Sequence, residues 1–166
     1  MPEKATLERA KKDKREGKAL STQAGEFVRE EIEHIREGKH GARSAKQAIA
    51  IGLSKARRAG VNLPPPKKGT ISERTRRSAE SSYKAGQAGG GKVSPARSRA
   101  ARRVLEHEGR AAASKTALAR HAHAASAEKT ASERSAAARK AVRTKGAAKR
   151  SAAARKAART RARNDV

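Results

Sequence analysis

The chain has 166 residues, a formal net charge of +26 and a sequence pI near 11.6. It carries one Phe, one Tyr, no Trp and no Cys. Disulfides, thiolate zinc sites and cysteine nucleophiles are therefore excluded, and aromatic anchors this sparse do not support one core spanning the whole length.

The charge is unevenly spread. Residues 1–60 hold fifteen basic and nine acidic residues, and residues 61–166 hold twenty-seven and seven. Nearly all the large aliphatics fall in the first part. The pattern predicts a mainly α protein: a charged N-terminal arm over 1–20, a helical-hairpin module over 21–61, a Pro/Gly-containing linker with a weak helix over 62–93, and a basic Ala/Arg/Lys-rich tail over 94–166, long and disordered or conditionally helical.

The arm contains Glu3, Glu8, Asp13 and Glu16 and has no hydrophobic centre. It is expected to be neither a secretory signal nor an organellar transit peptide. Ser21 or Thr22 is suited to cap a first helix, about 22–37. Along it Ala24, Val28, Ile32 and Ile35 recur at helical spacing. Glu26, Glu30 and Glu31 sit early, where the helix dipole favours anions, and Gly38 and Gly41 close the element.

A second helix, about 44–59, opens on Ser44-Ala-Lys-Gln47, a capping box. Ala45, Ala48, Ile49, Gly52, Leu53 and Ala56 make its apolar stripe. Gly60 is suited to a left-handed C-cap, with Val61 folding back on the last turn. A hairpin of about forty residues is at the limit of independent stability. Ile51, opposite Ile49 on the wheel, is either a single exposed aliphatic or part of a second contact surface, for a homodimer or for residues 1–18 packing back.

Pro64-Pro65-Pro66 forms an extended spacer. Residues 72–84 suit a weak polar helix, and Gly86 to Gly91 reads as a flexible linker. Ser94-Pro95, with Ser at N-cap and Pro at N1, opens a helix running to about Glu108. In the tail, Ser135-Ala-Ala-Ala-Arg-Lys-Ala-Val-Arg-Thr144 recurs sixteen residues later as Ser151-Ala-Ala-Ala-Arg-Lys-Ala-Ala-Arg-Thr160. Ala and Arg favour helix, but Arg139/Arg143, Arg155/Arg159 and Arg159/Arg163 are like-charge pairs at i,i+4 that oppose it. Phosphates would relieve that repulsion.

From Gly109 to Val166 sixteen Lys or Arg face three acids. A pI this high is the electrostatic footprint of a nucleic-acid binder. A membrane-surface helix needs Leu, Phe or Trp on one face, and this segment offers only Ala. No apolar run approaches the roughly 18 residues of a membrane span. Duplex DNA suits the charge better, because counterion release needs no fixed geometry. The expected phosphate contacts are Arg97, Arg99, Arg102, Arg103, Arg139, Lys140, Arg143, Lys149, Arg150, Arg155, Lys156, Arg159, Arg161 and Arg163.

The histidines are His34, His40, His107, His121 and His123. His121-x-His123 has no third ligand nearby, so no metal is expected. Gly89-Gly-Gly-Lys92 lacks the spacing and the Ser or Thr of a phosphate loop. No nucleophile, base and orienter are arranged together, so neither enzymatic activity nor a cofactor is expected.

Two resemblances add to this reading. Lys46-Gln-Ala-Ile-Ala-Ile-Gly-Leu-Ser-Lys-Ala-Arg-Arg-Ala-Gly60, within residues 27–60, resembles a bacterial family of unknown function whose members end a short helical module on a Lys-Gln-Ala-Ile-Ala-Ile-x-Leu-Ser-x-Ala-Arg-x-Ala-Gly signature. The resemblance implies a bacterial source and a compact helical module, and no catalytic residues. The tail resembles linker-histone C-terminal domains and histone-like bacterial tails, which bind and condense DNA. It departs from them in favouring Arg over Lys and in having no Pro after Pro95. Ser94-Pro95-Ala96-Arg97 partly resembles the Ser-Pro-basic-basic turns of histone tails, with Ala at the third position.

The sequence thus predicts a non-enzymatic, histone-like protein, cytoplasmic and nucleoid-associated, that contacts DNA phosphates with little sequence preference and bridges or compacts DNA. Self-association through 21–61 is expected, and membrane binding is not. The alternatives are an RNA- or ribosome-associated protein, or a protein-interaction module with an auxiliary basic tail.

Overall fold

The computed structural model describes residues 2–89 and 94–164. It is mainly helical, with no strand among the described residues. Seven α-helices follow in order: α1 (Lys4–Arg15), α2 (Leu20–Arg36), α3 (Ala45–Arg58), α4 (Glu73–Gln87), α5 (Pro95–Glu106), α6 (Lys115–Ala127) and α7 (Ala131–Asn164), with a 3₁₀ turn at Ala111–Ala113. The chain divides into two compact units, which part after His121.

The α2–α3 hairpin organises the first unit. Gly52 permits a close approach: a Cβ there would stand 2.6 Å from the Cα of Val28. Two small apolar clusters flank that crossing. Ile32, Ile35, Ala42 and Ala48 pack with Ala112 and Ala113 of the 3₁₀ turn, and Ala24, Phe27 and Ala56 pack with Ala10 and Val61. These clusters are rich in Ala, so much of the stabilisation comes from close backbone packing rather than from large buried side chains.

The caps explain the boundaries. Ser44 Oγ accepts from the backbone N–H of Gln47 at 3.2 Å, while Gln47 Oε1 accepts from the N–H of Arg43 at 2.8 Å. Gly60, at φ +87°, closes a Schellman turn: its N–H donates to Arg57 O and that of Val61 to Ala56 O. Gly38, at φ +80°, closes α2 in the same way, through Lys39 N–H to His34 O. The expected Ser21 or Thr22 cap is not used. α2 starts at Leu20 after Ala19, which offers no side-chain cap, and Gln23 Nε2 donates to Lys18 O at 2.8 Å.

Three segments differ from the sequence expectation. Residues 4–15 do pack back on the hairpin, as offered for residues 1–18, but as a helix laid on α2, with Ala10 and Leu7 against Phe27 and its neighbours. The weak helix expected over 72–84 runs to Gln87 and packs on α3. Ser82 meets Ser54 at 3.0 Å, and Gly86 lies against the Arg57 carbonyl so closely that a Cβ would overlap it. Gly86 is therefore a helix–helix contact and not part of a linker; Gly90, Gly91 and Lys92 lie outside the described residues. The extra burial that the hairpin needs is supplied within the chain by α1, α4 and the 3₁₀ turn. Ile51 is half-buried and lines a groove beside α5.

The tail is helical and not a long disordered segment. Residues 95–121 lie in the first unit, tied down by Gly41 N–H to Leu105 O, Ala42 N–H to Gly109 O and Arg36 Nε to Ala113 O. α7 opens on a capping box overlooked in the sequence: Glu133 N–H donates to Thr130 Oγ1, and Thr130 N–H donates to Glu133 Oε2. That cap and the helix propensity of Ala, Arg and Lys outweigh the like-charge pairs, each of which costs only a few tenths of a kcal/mol or about 0.5 at most.

Glu73, in the first turn of α4, accepts hydrogen bonds from Arg76 and Arg77. Above all the Arg76 bond pulls its carboxyl from 4.5 down to about 2. A carboxyl depressed in the folded state stabilises it above the unfolded pKa, and that contribution is lost as pH falls from about 4.5 through about 2. Glu73→Gln is expected to flatten the acid-induced loss of stability in that window and to leave its shape above pH 6 unchanged. Urea midpoints measured against pH for both chains check this.

Candidate nucleic-acid interface

Of the second unit, α7 carries most of the charge. Between Ala131 and Asn164 twelve Lys or Arg face one acid, Glu133. Every residue from 131 to 163 is exposed. Among the described residues no ion pair involves a cation of α7.

The repeat acquires a structural meaning at Gly146. Its φ of 68° and ψ of 167° interrupt the helix, in a region open essentially to glycine alone. One copy, Ser135–Thr144, lies before the break, and the other, Ser151–Thr160, lies after it. Each copy makes the same local bond: Thr144 Oγ1 donates to Lys140 O at 2.9 Å and Thr160 Oγ1 to Lys156 O at 3.0 Å. Arg139, Lys140 and Arg143 precede the break. Lys149, Arg150, Arg155, Lys156, Arg159, Arg161 and Arg163 follow it. Within each copy the three cations share one side of the helix, in an arc of about 100°; Arg134 and Lys145 before the break, and Lys149, Arg150, Arg161 and Arg163 after it, spread the charge to other sides.

Arg97, Arg99, Arg102 and Arg103 are exposed on α5, in the first unit. Ser94 Oγ caps that helix by accepting from Arg97 N–H, and Pro95 occupies its first turn. Ser94 and Pro95 thus act as a helix start. Arg97 and Arg102 line a groove of about 760 Å³ shared with Lys39, Ile51, Lys55 and Arg58.

The floor of that groove holds a cluster that sequence reasoning did not assemble. Glu30 and Glu31 of α2 are 2% and 0% exposed. Lys55 Nζ of α3 lies 2.5 Å from Glu31 Oε2 and 3.6 Å from Glu30 Oε1. His40 Nε2 lies 3.2 Å from Glu31 Oε1. These are ion-pair distances without hydrogen-bond angles, so among the described residues neither Glu31 oxygen has a hydrogen-bond partner. His34 Nε2 bonds Glu3 Oε1 at 2.8 Å, and Lys39 Nζ reaches the same oxygen at 3.3 Å. The His34 bond first, and Lys39 with it, hold the Glu3 carboxyl below its ordinary value.

Residues 11–68 match a family of unknown function, DUF6496. The match spans the end of α1, the whole α2–α3 hairpin and the proline spacer. It therefore contains Glu30, Glu31, His34, His40 and Lys55, and it excludes α5 and α7. No curated protein and no solved structure matches the chain.

His34 and His40 were visible as residues but not as a pair. The signal was Glu31-x-x-His34, one turn of one helix face, followed by a glycine that folds His40 back beside it. His107, His121 and His123 do not join them. Among the described residues no helix is long and apolar enough to cross a membrane.

Proposed function

We propose that this is a non-enzymatic, histone-like nucleic-acid-binding protein, cytoplasmic and nucleoid-associated, whose α7 neutralises DNA phosphates with little sequence preference. One observation carries the reading: twelve exposed cations on one helical segment face a single acid, and among the described residues none of them is engaged in an ion pair. A protein that contacts several phosphates gains affinity by releasing condensed counterions, and this demands charge density rather than a shaped pocket. Cations distributed around the axis suit a rod that can present phosphate contacts on any side. The interruption at Gly146 divides it into two cationic segments, of five and seven cations, so that binding of the first raises the effective concentration of the second. The exposed arginines of α5 add a further cationic patch. The resemblance of the tail to linker-histone tails supports the same mode of binding.

A competition assay tests this reading. Labelled random-sequence duplex DNA bound to the full chain is challenged with unlabelled duplex or with structured RNA of equal phosphate content. Duplex is expected to compete at least as well as RNA, and a chain ending at His121 is expected to bind far more weakly than the full chain. Preferential displacement by RNA would move the assignment to an RNA- or ribosome-associated protein.

A further inference from the structure

We propose that Glu31, His34 and His40 form a binding site for one divalent metal ion of the zinc class. One ligand atom from each of the three side chains lies within 4.8 Å of the others. Donors around a tetrahedral zinc with bonds of about 2.0 Å stand about 3.3 Å apart. His40 Nε2 and Glu31 Oε1 are already 3.2 Å apart. The other edges, at most 4.8 Å, would shorten by up to about 1.5 Å on binding.

The surroundings favour the ion in two ways. Glu31 is fully buried, and neither of its oxygens has a hydrogen-bond partner among the described residues. Burying a carboxylate in that state is costly unless a cation completes it. Lys55 sits at Oε2, which leaves Oε1, on the His40 side, to a ligand.

Both imidazoles are also oriented through their second nitrogens. His34 Nε2 is engaged by the Glu3 carboxylate at 2.8 Å, and His40 Nδ1 lies 3.1 Å from the Gly41 carbonyl oxygen. With those nitrogens donating, Nδ1 of His34 and Nε2 of His40 carry the free lone pairs. Metal-binding histidines characteristically have such carboxylate or carbonyl partners, which fix the tautomer and raise ligand basicity.

Three carboxylates (Glu3, Glu30 and Glu31) and two ammonium groups (Lys39 and Lys55) make up the ion-pair network around the cluster. Arg58, Arg97 and Arg102 line the same groove, so the ion would be held by its ligands and not drawn in by net negative charge. Two imidazoles and one carboxylate select zinc and its neighbours over magnesium or calcium, which require oxygen ligands. Two ligands come from one rigid helix. The third is placed by the Gly38 turn and held by the Gly41 N–H bond to Leu105 O at 2.8 Å.

The test uses the full chain, stripped with EDTA and titrated with Zn²⁺ and, for its visible spectrum, with Co²⁺. We expect one ion per chain, a tetrahedral Co²⁺ absorption and a rise in melting temperature on Zn²⁺ addition. His34→Ala and His40→Ala should each weaken binding at least 100-fold. Glu3→Gln, which removes only the orienting carboxylate, should weaken it about 10- to 100-fold. His121→Ala/His123→Ala should leave it unchanged. The absence of saturable one-to-one binding, or binding that survives loss of His34 and His40, would overturn the proposal. Should the alanine variants unfold, X-ray absorption of the zinc-loaded His121→Ala/His123→Ala chain decides. Two imidazoles with oxygen donors uphold the site, and fewer than two overturn it.

Discussion

Replacing Lys55 with Met in the metal-stripped chain is expected to cost about 3–5 kcal/mol of folding stability, the range for leaving a buried charge without its partner. Lys55 Nζ stands 2.5 Å from Glu31 Oε2 and 3.6 Å from Glu30 Oε1, and the carboxylate side chains are 0% and 2% exposed. Met keeps the length of the aliphatic stem, so packing changes little. What is lost is the cation. The two carboxylates, adjacent on α2, would then repel one another in a poorly solvated interior, with His40 and the backbone N–H of Glu3 as their remaining polar neighbours. This expected cost exceeds that of any exposed ion pair in the molecule, because such pairs contribute about 1 kcal/mol or less. Urea unfolding at pH 7 measures it. Adding Glu31→Gln should recover a substantial part of the loss, and the double-mutant cycle isolates the coupling between the two side chains. A loss below about 1 kcal/mol, with no coupling, would mean that Lys55 does not carry the compensation assigned to it here.

The second large effect concerns α7. Changing Arg139, Lys140, Arg143, Lys149, Arg150, Arg155, Lys156, Arg159, Arg161 and Arg163 together to Gln is expected to abolish most DNA affinity while preserving the helix. Gln has a helix propensity close to that of Lys and Arg, and the change removes the repulsion of the i,i+4 pairs. Circular dichroism should therefore show no loss of helix. Each phosphate contact contributes about 0.9 to the slope of log affinity against log salt, so six to ten contacts from these cations contribute about 5 to 9. The substituted chain should lose that share of the slope and bind at least about 1,000-fold more weakly at low salt, where the counterion term is largest. Substituting Arg97, Arg99, Arg102 and Arg103 alone should have a smaller effect, because four contacts contribute at most about 4 to the slope.

The hairpin was legible because its local signals agree. The Ser44–Gln47 cap, the Ala45–Ala56 stripe and the Gly60 stop all point to one helix, and α3 occupies Ala45–Arg58. The packing partners were less visible. Residues 4–15 and 73–87 read as polar because they bury Ala, Gly, Thr and Ser rather than large aliphatics, and hydrophobic periodicity does not register contacts made by Gly86 or Ser82. The helical tail was underestimated for a related reason. Charge repulsion was weighed, but the Thr130–Glu133 capping box went unnoticed. The Glu31–His34–His40 cluster depends on a turn, and the direction of that turn follows from the positive φ of Gly38, which residue spacing does not reveal. The distribution of charge between head and tail could be counted directly, and it remains the basis for the nucleic-acid reading.

The most direct test of that reading is the affinity of the full chain for random-sequence duplex DNA between about 50 and 200 mM salt. With six to ten phosphates contacted, log affinity should fall along log salt with a slope of about −5 to −9, a loss of about 10³ to 10⁵ across the range. A slope near −1, or no binding even at the low-salt end, would contradict a phosphate-neutralising role for α7.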